Sequence, residues 1–414
     1  MPGTRTTAAP PPLVSMRSRR RAESTIIDSE IPVVHSKISL SSLFSNCFSS
    51  GKRNQTQPSS ATVTTSVTSQ PQVLQEAPCS NASPPNQTFI DPALTFHDGE
   101  NSLFGAASIS GIRSHNEDSF RAITNVETYA SKMLQAAASS EASPTMLNLV
   151  DRFITSSTRD PEDDRAKQLA EWIIPQSGDT SSTSLSNTWS QFYGVYDGHA
   201  GARCSTLVAQ VLPMCVAAAD AFTSDIDATL RSACLLMDKL FLDVAAARGL
   251  RDGCTAITVV VRNRVVTVAN IGDCRAVLFS SSWRATALSK DQKPNCAEEK
   301  ARIEAAGGIV LNIRGIPRVN GMLAVARAFG DLPLKRYIVA EPDVTTYELD
   351  ESDQFIVMAT DGLWDVLTNE AVGSFLRANT GSMSLHDVAS KLVHLAVEMG
   401  STDNVTVVIV DVRR

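Results

Sequence analysis

Five short segments of this chain each set an acidic residue at the end of an apolar run: Arg113-Ser-His-Asn-Glu117-Asp118, Tyr196-Asp197-Gly198-His199-Ala-Gly201, Asn270-Ile-Gly272-Asp273, Ala359-Thr-Asp361-Gly362-Leu-Trp364-Asp365 and Ser401-Thr-Asp403-Asn404-Val405. Taken singly, each reads as a turn, because Asp-Gly and Gly-Asp are common turn dipeptides. Arg113 with Glu117 alone would be a surface i,i+4 pair worth about 0.2–0.5 kcal/mol on a helix, and His199 a satisfied loop histidine. Taken together they are an oxygen-rich ligand set with no cysteine partner and one adjacent histidine. That set suits hard cations, Mg²⁺ or Mn²⁺, better than zinc. Two such ions about 4 Å apart lower the pKa of a shared water and hold the charge of an in-line phosphoryl displacement. Water then attacks directly, and the absence of a recognisable Ser or Cys nucleophile motif agrees with that chemistry.

Acids this far apart meet only if the elements carrying them end at one edge. From about Leu103 the chain has short apolar runs closed by Gly, Asp or Asn, which predicts strands and turns. Ile257–Val261 and Val265–Asn270 flank Arg262-Asn263-Arg264 as a hairpin, and Gly272-Asp273 leads into a further strand, Cys274–Phe279. Helical periodicity marks Thr206–Ala219, Ala228–Ala247, Ala297–Ala306 before Gly307-Gly308, and Leu385–Met399 before Gly400. Helices lie between groups of strands instead of alternating with them, so the expectation is an α+β domain with an antiparallel core. Residues 124–190 interrupt the pattern and read as an insertion, with short helices expected at Met146–Ile154 and Asp164–Ile174.

The 414 residues are 43% apolar, ample for a core, and the net charge of -7 lacks the basic excess of a nucleic-acid surface. Eight cysteines form no Cys-x-x-Cys pair, which predicts reduced thiols and neither a zinc nor a redox motif. No apolar run is long enough for a membrane span, and Met1-Pro2-Gly3 does not fit the myristoylation pattern. The expected compartment is cytoplasmic or nuclear. Residues 1–98, rich in Ser, Thr and Pro, are expected to form a disordered arm, with the catalytic domain spanning 99–414. The tract Arg17-Ser18-Arg19-Arg20-Arg21 reads as part of that solvated arm, with a nuclear signal and a mitochondrial transit peptide as the competing readings. Arg21-Ala22-Glu23-Ser24 also fits a basophilic kinase target, a pattern short enough to occur by chance.

In this order, the five segments resemble the type 2C protein serine/threonine phosphatases, over about Gly105 to Val412 without the insertion. Lys293-Pro294-Asn295 through Gly308 and Arg318 through Ala328-Phe-Gly-Asp331 extend the likeness. The resemblance implies a β-sandwich of two antiparallel sheets flanked by α-helices, with a metal cleft at one end. It implies that Asp197 bridges two Mg²⁺ or Mn²⁺ ions, with Glu117 and the Gly198 carbonyl completing one and Asp361 and Asp403 serving the other. Asp273 would hold a weaker third ion together with Asp361. Arg113 would bind phosphate, as a guanidinium fork suits, His199 would protonate the leaving oxygen, and Asp118 would orient the ligands.

Residues 295–322 correspond to the family's flap beside the cleft. Members gated by plant hormone receptors typically carry a tryptophan there; Leu311-Asn312-Ile313-Arg314-Gly315 has none, so such gating is not expected. Gly253-Cys254-Thr255-Ala256 and Ala326 depart mildly from the family pattern without touching an expected ligand. The reading is of a monomer acting on phosphorylated protein substrates. A binding scaffold without activity and a hydrolase of small phosphoesters are the competing functions; the intact Glu117, Asp197, Asp361 and Asp403 set favours the enzyme, and substrate profiling separates the two enzymatic readings.

Overall fold

In the computed structural model, which describes residues 103–130, 190–219, 221–222 and 224–413, the apolar runs pair into two antiparallel sheets. One sheet has the order β1 (Phe104–Ile109), β13 (Val405–Asp411), β12 (Asp353–Ala359), β6 (Arg275–Ser280) and β7 (Ala285–Ala287). The other runs β11 (Asp343–Glu348), β5 (Val265–Ile271), β4 (Gly253–Arg262), β3 (Gln191–His199) and β2 (Ser119–Ile123), with β10 (Phe329–Gly330) joined to β4. The expected hairpin is present as β4 and β5, closed by Asn263 and Arg264 at φ 48° and 65°, a turn whose twist matches that of its strands. Arg264 is held in this costly conformation by a 2.8 Å bond from Nη2 to the Leu349 carbonyl.

Both faces of these strands are buried, so alternate residues serve two different cores. Along β13, Val405, Val407 and Ile409 face a helical layer while Val408 and Val410, followed by Val412 just past the strand, face the opposite sheet. On β12, Phe355, Val357 and Ala359 take the helix side and Ile356 and Met358 the inter-sheet side. On β3, Phe192 and Tyr196 meet helices while Tyr193 and Val195 enter the seam between sheets. Each fully buried Val, Ile or Phe here contributes roughly 1.5–3 kcal/mol, which makes the seam the main adhesive of the sandwich.

Helices α1 (Arg203–Ala218) and α2 (Ile226–Arg248) cover the sheet containing β3. The Asp225 carboxylate caps α2 by accepting from the Ala228 amide at 3.0 Å. Between the sheets in sequence come α3 (Ala297–Ala305) and a separate hairpin, β8 (Val310–Ile313) with β9 (Ile316–Val319). They occupy the segment read as the flap and share a small core of Ile303, Val319, Val325, Ala326, Ala328, Leu334 and Ile338. The other sheet is covered by α4 (Asp361–Trp364), α5 (Asn369–Asn379) and α6 (Leu385–Glu398), with Ser384 Oγ capping α6 at the Asp387 amide. The four expected helices lie within three residues of their predicted ends. α5, capped by Thr368 and burying Val372, Gly373 and Leu376, was not singled out from sequence. Among the described residues no helix is long and apolar enough to cross a membrane. The arm (1–98), its basic tract and nearly all of the 124–190 insertion, both of its expected helices included, lie outside the described residues.

Candidate active site

Asp197 sits near the end of β3, opposite Thr255 of β4 and one residue past the last pair that β3 makes with β2, Tyr196 with Ser119. Asp273 follows β5 in the turn to β6, and Asp361 follows β12 at the start of α4. Strand ends from both sheets therefore deliver carboxylates to one place. One oxygen from each of Asp197, Asp273 and Asp361 lies within 4.8 Å of the others. Asp273 is buried, only 3% exposed, while Asp197 and Asp361 are half-buried at its side.

Burial and mutual repulsion raise these acids. Burial first, then the charges of Asp361, Asp118, Asp273 and Asp403, lifts Asp197 well above the ordinary carboxylate range. Asp273 is raised by burial and by Asp361, and Lys293 only partly offsets this. Burial, then Asp365 and Asp403, pushes Asp361 up to about 6. Burial of its carboxyl pushes the half-buried Asp118 up to about 7 although the hydroxyls of Thr406 and Thr360 donate to its Oδ2 at 2.8 and 3.1 Å. Such a concentration of like charge is stable only with protons or cations among the oxygens.

The arrangement fits a hard divalent cation. Asp118 Oδ1 and Asp273 Oδ1 are buried without any hydrogen-bond partner, leaving acceptor capacity that a protein seldom leaves unused. The three clustered side chains offer oxygen alone, the donor preferred by Mg²⁺ and Mn²⁺. Gly198 brings a carbonyl into the same region: a Cβ there would fall 2.1 Å from the Glu117 carbonyl oxygen, so only glycine lets the end of β3 press against the loop before β2. Lys293 Nζ reaches Asp365 Oδ1 at 3.0 Å and Asp273 Oδ2 at 3.9 Å, so it supplies a fixed positive charge at the edge.

Not every expected ligand joins the cluster. Asp403 Oδ2 is drawn to Arg113 Nη2 at 2.7 Å, and Arg113 Nε donates to the Thr402 carbonyl at 3.0 Å. Asp403 and Glu117 accordingly stand outside the 4.8 Å group, while Asp273, expected only for a weaker ion, stands inside it. Arg113 remains half-exposed at the rim. His199 lies on the same strand as Asp197 and pairs through Nε2 with Asp331 Oδ2 at 2.8 Å.

Several residues that build the site were not singled out from sequence. Asn404 donates through Nδ2 to the carbonyls of Ser110 and His115 at 3.0 and 2.9 Å, and its Oδ1 accepts from the Glu117 amide at 2.9 Å. It thereby fixes the whole loop bearing Arg113 and Glu117. Thr360 and Thr406 hold Asp118, and Asp331 holds His199. All but Thr406, which directly follows the last segment, lie inside segments that had been recognised, but nothing about their type pointed to these partners.

The family profile described as Protein phosphatase 2C matches residues 165–405. The chain belongs to the protein phosphatase 2C family. Among its relatives, the rice (Oryza sativa subsp. japonica) probable protein phosphatase 2C 7 is 38% identical over 56% of this chain and 60% of its own length. The Arabidopsis thaliana probable protein phosphatase 2C 69 is 39% identical over 53% and 60%. Rice probable protein phosphatase 2C 45 is 40% identical over 53% of this chain and 75% of that protein. The chain thus spans about 60% of the length of the first two relatives. The fold of this protein phosphatase 2C member is similar to that of a serine-threonine phosphatase 2C from Toxoplasma gondii (TM-score 0.54, 20% identity, 74% of this chain and 94% of that one). It is also similar to a C. elegans sex determining protein (TM-score 0.57, 23% identity, 74% and 64%).

Proposed function

We propose that this chain hydrolyses phosphoserine and phosphothreonine esters of proteins at a centre of two Mg²⁺ or Mn²⁺ ions, with room for a weaker third. Asp197, Asp273 and Asp361 would hold the ions, with Glu117, Asp403 and the Gly198 carbonyl at the edge of the set. When bound, the ions supply Lewis acidity that lowers the pKa of a water and offsets charge on the phosphoryl oxygens. Arg113 meets the substrate first, since its half-exposed guanidinium presents a fork that matches phosphate oxygens. Asp403 and the Thr402 carbonyl aim that fork. Asp118 braces the carboxylates from behind, itself fixed by two threonine hydroxyls. His199 protonates the serine or threonine oxygen as the P–O bond breaks, a task suited to an imidazole, which can hold and release a proton at a ring nitrogen.

The observation that carries this reading is the convergence of three carboxylates from both sheets within 4.8 Å, one buried and two half-buried, in a chain whose family is that of the 2C phosphatases. Phosphate release from a phosphothreonine peptide tests it, with EDTA, Mg²⁺ or Mn²⁺, beside Asp197→Asn and Asp361→Asn. Turnover should require added metal and fall roughly 10³-fold or more in either variant, the loss of several kcal/mol of charge stabilisation. Full activity in EDTA, or in Asp197→Asn, would refute the assignment. Equal turnover of phosphopeptides and small phosphoesters would instead favour a metabolite hydrolase.

A further inference from the structure

The segment that closes the site behind His199 carries an expensive conformation with no role in the account so far. Asp331 is a non-glycine residue in the left-handed region, φ 52° and ψ 44°, and is 5% exposed. Residues held this way persist only when their surroundings over-determine them, and they gather at functional sites. Here the surroundings do so from both directions. The Asp331 amide donates to the Asp252 carbonyl at 3.1 Å, and the preceding Gly330 amide donates to Asp238 Oδ1 at 2.9 Å. Asp252, itself 2% exposed, is fastened in turn to the start of α1, its Oδ2 accepting from the Arg203 amide at 3.2 Å.

All this bracing delivers one carboxylate oxygen to His199. Asp331 Oδ2 lies 2.8 Å from Nε2, with the imidazole side chain 23% exposed and the aspartate side chain 6%. The space for that contact is made at position 253. A Cβ on Gly253 would sit 2.3 Å from Asp331 Oδ2 and 2.4 Å from His199 Nε2, so any other residue there would wedge the pair apart. A carboxylate accepts only, so the hydrogen in this bond belongs to Nε2. Among the described residues Nδ1 has no hydrogen-bond partner.

We infer that Asp331 is the positioning residue of this site: it locks the His199 ring with Nε2–H bound inward, which makes Nδ1 the nitrogen that hands its proton to the leaving serine or threonine oxygen. The inference rests on the reading of His199 as the proton donor. In the step, the Nδ1–H proton passes to the ester oxygen as the P–O bond breaks, water provides the new oxygen on phosphorus, and the imidazole is left neutral with its remaining hydrogen on Nε2. Solvent then restores the proton at Nδ1.

Asp331→Gly and Asp331→Asn are the variants of choice, because both glycine and asparagine tolerate the left-handed backbone. In metal-loaded full-length protein, Asp331→Gly should lower kcat on a phosphothreonine peptide roughly 10²-fold and far less on p-nitrophenyl phosphate, whose aryl oxide leaves without a proton. In a His199→Ala background the same change should add nothing. Ring nitrogen ¹H–¹⁵N spectra of the wild type, with His199 assigned by its alanine variant, should show the Nε2–H tautomer alone in the neutral ring. Asp331→Gly should show a mixture of the two. Equal losses on both substrates, additive losses in the double variant, or a wild-type ring protonated at Nδ1 would each overturn the inference. If His199→Ala itself spares the alkyl ester, the proton-donor reading fails and this one with it. If His199→Ala is selective and Asp331→Gly is not, only the positioning role is lost.

Discussion

Asn404 does more for the candidate site than its uncharged side chain suggests, because its three bonds span the loop from Ser110 to Glu117. Asn404→Ala would strand two backbone carbonyls and one amide, and buried polar groups left unpaired cost about 1–3 kcal/mol each before water re-enters. A stability loss of roughly 2–4 kcal/mol is expected in urea unfolding, together with a weakened KM for phosphopeptide as Arg113 loses its platform. Unchanged stability would show that the loop is held elsewhere. Sequence could name the carboxylates because an acid closes an apolar run in five segments, three of them beside a glycine (Asp197-Gly198, Gly272-Asp273, Asp361-Gly362). It could not name Asn404, Thr406 or Asp331 as supports, because their partners lie between 132 and 294 residues away. A hydrogen bond between distant loops leaves no periodic trace.

Elements differ in how openly they are written. The β4–β5 hairpin and the four helices with recurring apolar positions were legible, two of them capped by Asp225 and Ser384, whereas β2 and β11, whose burial is partial, carry too little pattern to be read. The α3 segment depends on a single acid: Glu299, 4% exposed, takes Arg327 at 2.6 Å and Arg302 at 2.9 Å, tying α3 to the chain before β10. Burial raises its pKa, but the Arg327 and Arg302 bonds outweigh burial and hold it below the ordinary value of 4.5. With a depressed folded pKa, the contribution is complete above about pH 4.5 and is lost as pH falls through the folded value. Glu299→Gln should therefore destabilise the protein by about 3 kcal/mol at pH 7, as for a broken buried pair, and expose the β8–β9 hairpin to protease. Thermal melts across pH should show that gap narrowing below about 4.5. A gap independent of pH would mean that shape, not charge, holds the segment.

For the molecule as a whole, the acidic end governs stability. Asp197, Asp273, Asp361 and Asp118 are all raised, the last two to about 6 and about 7. Between the ordinary value near 3.8 and those raised values the metal-free fold binds more protons than the unfolded chain, so its stability falls as pH climbs through that window. Cation binding displaces the same protons and should strengthen with pH. The rise in Tm on replacing EDTA with Mn²⁺ is expected to grow steadily from pH 5 to 7.5, as scanning fluorimetry would register; a constant increment would place the ions away from these carboxylates. The sandwich itself was readable only as an antiparallel α+β core. Strands buried on both faces lose the alternation that reveals which side is which, and the two-sheet arrangement came from the resemblance. That double burial carries a mechanical meaning. Asp197 hangs from one sheet and Asp361 from its opposite number, so the seam that apolar side chains zip along its length ends in repulsion. The sandwich is a clasp held shut by greasy contact along its length, with like charge crowded at the tip.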